Sequence, residues 1–570
     1  MSLRPICALV LLLTACSASS VLYGQPDNSP YRYSIRKKVE SAHGAVVSAH
    51  PLASRAGVSV LEAGGNAVDA AIATQLALAV VYPGAGNIGG GGFMVAHLSD
   101  GKNITLDFRE RAPEKATRDM YLDASGNPQP NLSQNGHLAA GVPGTVAGIF
   151  AELKYAKLPF SRLVQPAIDL AEKGFAITEG EARGLNSSQK AFTKYNTVMP
   201  VFVKEGGWKA GDTLVQKDLA GTLRRMRDMG VQGFYEGETA RLITEEMQRG
   251  KGIITAGDLA QYTVKEREPS IFPYKNYTVV TMPLPGSGSV VLQQMMKMAE
   301  GLPLREYGFE SIKAVHWMTE IERLAYADRA KYLGDKDYYK VPGKTLVSAA
   351  YLHKRMESID PDKAGKSKDI QAGMISPLSE ETTHLDVYDQ EGNAVAITTT
   401  LNGGYGSKVV VGGAGFLLNN EMDDFSIKPG IPNMYGAVGA EANAIVPGKR
   451  MLSSMSPTIV LKDGRVYLVV GTPGGTTITT SVFQTLLDIL EFGMGTEDAV
   501  NKPKFHHQWL PDEIDVEPGF PADVRAQLEK MGYTFRQRGS IGRTEVIKVM
   551  PGGSIEAVGD GRGEDTAEGY

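Results

Sequence analysis

The chain has 570 residues but only two cysteines, Cys7 and Cys16. Beyond residue 16 there is no thiol, which excludes a cysteine nucleophile, a thiolate metal site and an intrachain disulfide in the body of the protein. Other chemistries are missing as well. There is no G-x-S-x-G elbow for an activated serine, and no H-E-x-x-H. His506 and His507 are adjacent, so their side chains do not share one face, and they read as structural residues rather than metal ligands. The run G-N-I-G-G-G-G-F (86–93) has no Lys-Ser/Thr after it and leads into the strand-like F-M-V-A-H-L, so close backbone packing explains its glycines better than phosphate binding. No run of Lys and Arg stands out and the net charge is −5, which argues against a nucleic-acid partner. The apolar run 68–81 contains Asp69, Thr74 and Gln75 and reads as a buried helix, not a membrane span.

What is present begins with Arg4 and a short apolar run from Ile6 to Leu13, the pattern of an export signal over residues 1–15. L-T-A-C (13–16) resembles a bacterial lipobox, which would leave a lipid on Cys16; an ordinary signal cut near Ala18 or Gln25 is the other reading. Residues 16–36 read as a polar tether. A strand over 45–49 then meets a helix capped by Ser54 and stopped at Gly64-Gly65. A second strand, 104–108, delivers Arg109, which at a strand end would ordinarily be solvated or ion-paired at the surface. Ser161 is expected to cap an amphipathic helix burying Leu163, Val164, Ala167, Ile168 and Ala171. More helices follow over 219–229, 237–249, 290–300 and 311–330. The polar segment 360–381 should be exposed. Strands are then expected at 414–418, 456–461, 466–470 and around 544–549, with two helical runs after P-G-G (473–475). Helices before and after strands, without βαβ alternation or a repeat, indicate a layered α+β unit.

Between these regions lies E-T-T-H-L-D-V-Y-D-Q-E-G-N-A-V-A-I-T-T-T-L-N-G-G-Y-G (381–406). Leu385, Val387, Val395 and Ile397 alternate with polar residues about a turn at Gly392 and Asn393, so two strands bring Thr382/Thr383 near Thr398, Thr399 and Thr400. Taken alone, threonines here are ordinary strand formers. With cysteine, metal and elbow serine excluded, a threonine at a chain terminus is the remaining self-activated nucleophile. Its α-amino group, with a pKa of roughly 8, can accept the hydroxyl proton. An internal threonine would need cleavage just before it.

T-T-H-L-D-V-x4-G-N-A-V-x-x-T-x-T-L-N-x-x-Y-G resembles the signature of the γ-glutamyltransferase family of N-terminal nucleophile hydrolases. Further similarity runs in the same order through L-D-F-R-E-x-A-P (106–113), V-P-G (142–144), Y-A-D-R (326–329), L-L-N-N-E-M-D-D-F-S (417–426), L-S-S-M-S-P-T-I (452–459), P-G-G (473–475) and F-H-H-Q-W-L-P-D-E (505–513). The resemblance implies a four-layer αββα sandwich made as one precursor and self-cleaved at Glu381/Thr382 into a large subunit, 37–381, and a small one, 382–570. It implies Thr382 as nucleophile and Thr400 as the hydroxyl that contacts it. Arg109, Ser453 and Ser454 would hold the donor's α-carboxylate, and Asn402, Glu421 and Asp424 its α-ammonium. Gly474 and Gly475 would form the oxyanion hole, and Tyr435 would gate the pocket from a lid over 429–440. No cofactor or metal is implied. The partners implied are glutathione or other γ-glutamyl compounds, amino-acid or peptide acceptors, and the two subunits for each other. Membrane contact would come only through a lipid on Cys16, with the protein periplasmic or anchored at the envelope.

The sequence departs from the family pattern at several points. Asp386 replaces a usual Ser or Thr and should alter the electrostatics beside the cleavage site. Met451 replaces a common Pro, Gly286 to Ser289 replaces Ser-Ser-Gly-Gly, and Thr476-Thr477 replaces Ser-Arg. The expected activity is transfer of a γ-glutamyl group to water, amino acids or peptides through an ester on Thr382. Two alternatives stand beside it: a glutaryl-cephalosporin acylase on the same fold, and an uncleaved ligand-binding protein of the envelope.

Overall fold

The computed structural model describes residues 35–370 and 382–570. The export signal, both cysteines, most of the tether, Glu381 and the last part of the polar segment lie outside the described residues.

Two seven-stranded sheets stack face to face. In one, the hairpin strands Thr383–Tyr388 and Ala394–Thr400 are central, flanked by Ala45–Ser48 and Thr566–Gly569 on one side and by Gly91–His97, Asn103–Asp107 and Lys265–Arg267 on the other. The second sheet runs from Lys38–Ser41 through Ile555–Val558, Glu545–Val549, Arg465–Gly471, Thr458–Lys462 and Tyr277–Thr281 to Ser270–Tyr274. All pairings in both are antiparallel. Val47, Phe93, Val95, Ala396, Ile459 and Ile547 belong to the core packed between the sheets. Leu385, Val387, Val395 and Ile397 face the other way, into a core shared with the helices Pro51–Glu62 and Ala67–Val81. The helices Val291–Glu300, Ile312–Tyr332 and Thr477–Leu490 cover the second sheet. The result is the αββα sandwich, an α+β fold in which side-chain alternation assigns each strand one face to each layer. No helix among the described residues is long and apolar enough to cross a membrane.

Local sequence explains much of this. The helix Ala67–Val81 is buried at every position and starts with a capping box between Asn66 and Asp69. The helix Phe160–Lys173 buries the five expected residues, Leu163, Val164, Ala167, Ile168 and Ala171. Two expected caps are corrected. His50 caps Pro51–Glu62, while Ser54 lies inside that helix and donates to the Thr566 carbonyl (2.8 Å). Ser161 likewise sits within its helix, which starts after Pro159. Pro51 is accommodated in a first turn, where an amide is not required, and Pro159 stands at the N-cap of the other helix, so both begin earlier than the serines suggested. Residues 414–418 are also not a strand: Val410 and Leu417 form only an isolated bridge around the positive-φ Gly413 and Gly415. Within 360–381, Ser367 is buried rather than exposed.

Candidate active site

The hairpin is built from its turn upward. Asp389 accepts from the Glu391 (2.9 Å) and Asn393 (3.0 Å) amides, Gly392 takes φ 88°, and the other Asp389 oxygen accepts from the Ala67 amide (2.8 Å) at the start of the buried helix. From that anchor the register runs up to Thr383 opposite Thr399. Thr382 thus lies beside Thr400, with their hydroxyl oxygens 3.5 Å apart and both residues buried. Thr400 Oγ1 accepts the Asn402 amide (2.7 Å). Asn402 holds φ 75°, a left-handed conformation that asparagine tolerates better than most residues, and this turns the chain immediately after the strand.

The glycine run packs against this edge. A Cβ on Gly90 would stand 2.0 Å from the Thr400 carbonyl oxygen, and one on Gly92 2.4 Å from that of Thr398. Close backbone approach is the role these glycines serve. Asn87, whose role no sequence motif marks, donates to Thr399 Oγ1 (3.1 Å) and the Thr400 carbonyl (3.0 Å).

Thr382 and Thr400 border a cleft of about 330 Å³, including solvent at its mouth. Arg109, Asn402, Glu421, Asp424, Tyr435, Ser453, Ser454 and Gly475 line it too, so ten of the eleven anticipated site residues converge. Gly474 is the exception. It holds φ 135°, accepts from the Thr477 amide (2.9 Å) and has no room for a Cβ beside Thr477 Oγ1 (2.4 Å).

Arg109 is not a surface residue: it is 1% exposed. Its guanidinium donates to Glu421 and to Asp424 Oδ2 (2.5 Å), with Glu110 3.6 Å away. Burial opposes its charge, but Glu421, Asp424 and Glu110 outweigh that and hold its pKa above the ordinary value. Burial pushes the Glu421 carboxyl well up and Glu110 up to about 7, against the pull of Arg109. Ser453 is fixed by its amide on the Pro285 carbonyl (2.9 Å), and its Oγ accepts from the Met455 amide (3.1 Å).

The lid segment crosses this cleft. Asn433 Oδ1 accepts the Tyr435 (3.0 Å) and Ala437 (3.1 Å) amides, its side-chain amide donates to Asp424 Oδ1 (2.9 Å), and the Tyr435 hydroxyl donates to the Asn402 carbonyl. Gln508 was also missed. It accepts from Thr476 Oγ1 (2.6 Å) and donates to the Tyr435 carbonyl (3.3 Å), joining lid and glycine loop. The neighbouring histidines are buried, each pulled down to about 4 by burial, and His506 is held by Thr480 Oγ1 (2.8 Å) and Gln508 (2.9 Å). Among the described residues no His, Cys, Asp and Glu cluster is arranged to hold a metal ion.

Comparison with known proteins places these features in a family. The pattern of the Gamma-glutamyltranspeptidase family matches residues 53–570. The glutathione hydrolase proenzyme of Escherichia coli (strain K12) is 44% identical over 100% of this chain and 99% of its own. Among solved structures, the cephalosporin acylase from Bacillus halodurans superposes with a TM-score of 0.81 at 26% identity, over 96% of this chain and 99% of that one. The gamma-glutamyltranspeptidase of Helicobacter pylori does so with a TM-score of 0.56 at 48% identity, over 57% of this chain and 94% of that one. The chain belongs to the gamma-glutamyltranspeptidase family.

Proposed function

We propose that the protein is a self-cleaving γ-glutamyltransferase and glutathione hydrolase whose nucleophile is Thr382. In the first step Thr382 Oγ attacks the Glu381 carbonyl. The Thr382 nitrogen leaves as the free amine, and water hydrolyses the resulting ester to a Glu381 carboxylate and a free hydroxyl. In turnover the amine takes the Thr382 hydroxyl proton while Oγ attacks the donor's γ-carbonyl. The donor's amine leaves with a proton, and the Thr382 ester passes its acyl group to water or to an amino group. Thr400 donates toward Thr382, and the backbone of the Gly474-Gly475 turn, of which Gly475 lines the cleft, supplies the donors for the developing oxyanion.

The observation that carries this reading is the juxtaposition of the 3.5 Å threonine pair with Arg109, Glu421 and Asp424 in one cleft. Charges of both signs suit a donor end with a free α-carboxylate and a free α-ammonium, which would enter by exchanging partners with the Arg109 pairs. A glutaryl group lacks the ammonium and would leave Glu421 and Asp424 without a cationic partner from the substrate. Residues 1–15 support export, and L-T-A-C supports a lipid on Cys16. The test is donor choice: the purified protein should release p-nitroaniline from γ-glutamyl-p-nitroanilide and leave glutaryl-p-nitroanilide essentially intact. The opposite preference would make it an acylase, and activity on neither would leave an envelope binding protein.

A further inference from the structure

The cleft contains two arginines, and only Arg109 is paired with carboxylates. Arg329 comes from the helix Ile312–Tyr332, is 8% exposed and lines the same cleft. Among the described residues no carboxylate forms an ion pair with it. Its partners are hydroxyls: Nη2 donates to Ser454 Oγ (3.1 Å) and Nε points to Ser287 Oγ (3.4 Å). Ser287 in turn donates to the Ser453 carbonyl (2.5 Å). One turn earlier on the same helix face, Tyr326 donates to the Thr476 carbonyl, so the helix braces both loops that border the cleft.

A buried guanidinium keeps its proton, and without an anion it is costly to bury. Burial does lower the pKa of Arg329, against the attraction of Asp424. What offsets this cost is an anion that arrives with the substrate. Arg109 is already engaged by Glu421 and Asp424, so Arg329 is the cleft cation that an incoming α-carboxylate can take up without displacing an ion pair among the described residues. It also fixes a direction: because Ser454 Oγ accepts from the guanidinium, its own proton is free to donate into the cleft, toward the carboxylate.

We propose that Arg329 is a specificity-determining residue for the donor's α-carboxylate, acting through the Ser454 hydroxyl and the Ser287–Ser453 contact. This rests on the γ-glutamyl reading above and adds a cation to it. The experiment compares γ-glutamyl-p-nitroanilide with 4-aminobutanoyl-p-nitroanilide, which keeps the amine but has hydrogen in place of the carboxylate. Arg329→Gln should raise KM for the first donor roughly 10- to 100-fold, the size of a lost hydrogen bond to a charged group. The kcat should stay within about threefold, and the second donor should be affected by no more than about twofold. Arg329→Lys, which keeps the charge but not the fork, should shift the same ratio by about threefold to tenfold and decides the matter if the glutamine variant does not fold. Equal losses on both donors, or an unchanged ratio in the lysine variant, would overturn the proposal. Failure of the wild-type protein on γ-glutamyl-p-nitroanilide would instead overturn the γ-glutamyl reading.

Discussion

The sandwich holds two groups of carboxylates, one built around a buried guanidinium and one without such a partner. In the cleft, Glu421, Asp424 and Glu110 surround Arg109, with Arg329 nearby. Between the sheets, Asp386, Glu545 and Asp565 are all buried, and one Asp386 oxygen and both oxygens of Glu545 and of Asp565 have no hydrogen-bond donor. Arg543 stands 3.9 Å from Asp565. Burial raises the pKa of all three acids, and Asp565 and Asp386 push Glu545 higher still. Burial raises carboxyl pKa values in both groups, Glu421 and Glu110 included, but only the cleft sets a buried guanidinium against its acids. The first arrangement can exchange its charges for those of a ligand, whereas the second makes stability depend on pH.

The interior group also borders the reacting strand. His384, two residues after Thr382, bonds Thr398 Oγ1 (2.8 Å) through Nδ1 and Asp386 (2.8 Å) through Nε2. Its ring lies against Gly471, where a Cβ would come within 2.1 Å, and Glu545 is the cross-strand partner of Gly471. Asp386, a departure from the family pattern, is therefore part of a buried network that joins the hairpin to the strand leading into Pro473-Gly474-Gly475. Lys37 donates to the Asp560, Gly563 and Asp565 carbonyls, so its ammonium is taken up by backbone oxygens and not by the Glu545 carboxyl.

The contrast can be broken by substitution. Arg109→Met leaves the buried Glu421 and Glu110 and the half-buried Asp424 without their cation. It should cost about 3–5 kcal/mol of stability, in the range for removing one partner of a buried ion pair, and cut kcat/KM for γ-glutamyl-p-nitroanilide by at least about 100-fold. Denaturant unfolding and steady-state rates check both numbers. An unchanged stability would contradict this and show that the cleft acids do not depend on Arg109.

Glu545→Gln sharpens the other half. A carboxyl whose folded pKa is raised contributes stability that is complete below the ordinary carboxylate range, near 4.3, and is lost as pH climbs through the folded value. The wild-type protein should lose stability over that upward interval more steeply than the glutamine variant, which keeps the raised carboxyls of Asp386 and Asp565. At pH 8 the variant should be more stable by about 1–3 kcal/mol, the penalty for a buried unsatisfied group, with the difference shrinking towards pH 4. Thermal midpoints across pH 4–8 read this directly, and a constant offset would contradict it.

Much of the fold and site was legible in the sequence. Alternation at Leu385, Val387, Val395 and Ile397 fixed the hairpin's outward face, and helical spacing identified all five buried residues of Phe160–Lys173. What misled was local: serines read as caps where proline already started the helix, and a β-like run at 414–418 that glycine turns break. What was not legible was long-range. Arg329 lies in the quoted Y-A-D-R motif, yet its contact with Ser454 spans 125 residues and no local pattern announces it. Gln508 was invisible for the same reason, reaching Tyr435 across 73 residues. The burial of Arg109 depends on Glu421 and Asp424, more than 300 residues away in the chain.

The central claim is that the central hairpin starts at a chain end made by the protein itself. N-terminal sequencing of the purified protein, with the Thr382→Ala variant beside it, tests this most directly. The account predicts two fragments of roughly 40 and 20 kDa from the 61.2 kDa chain, the smaller beginning Thr-Thr-His-Leu-Asp, and a single uncut chain for the variant. A wild-type protein that stays whole, a small fragment with another first residue, or a Thr382→Ala protein that still separates into two would contradict it.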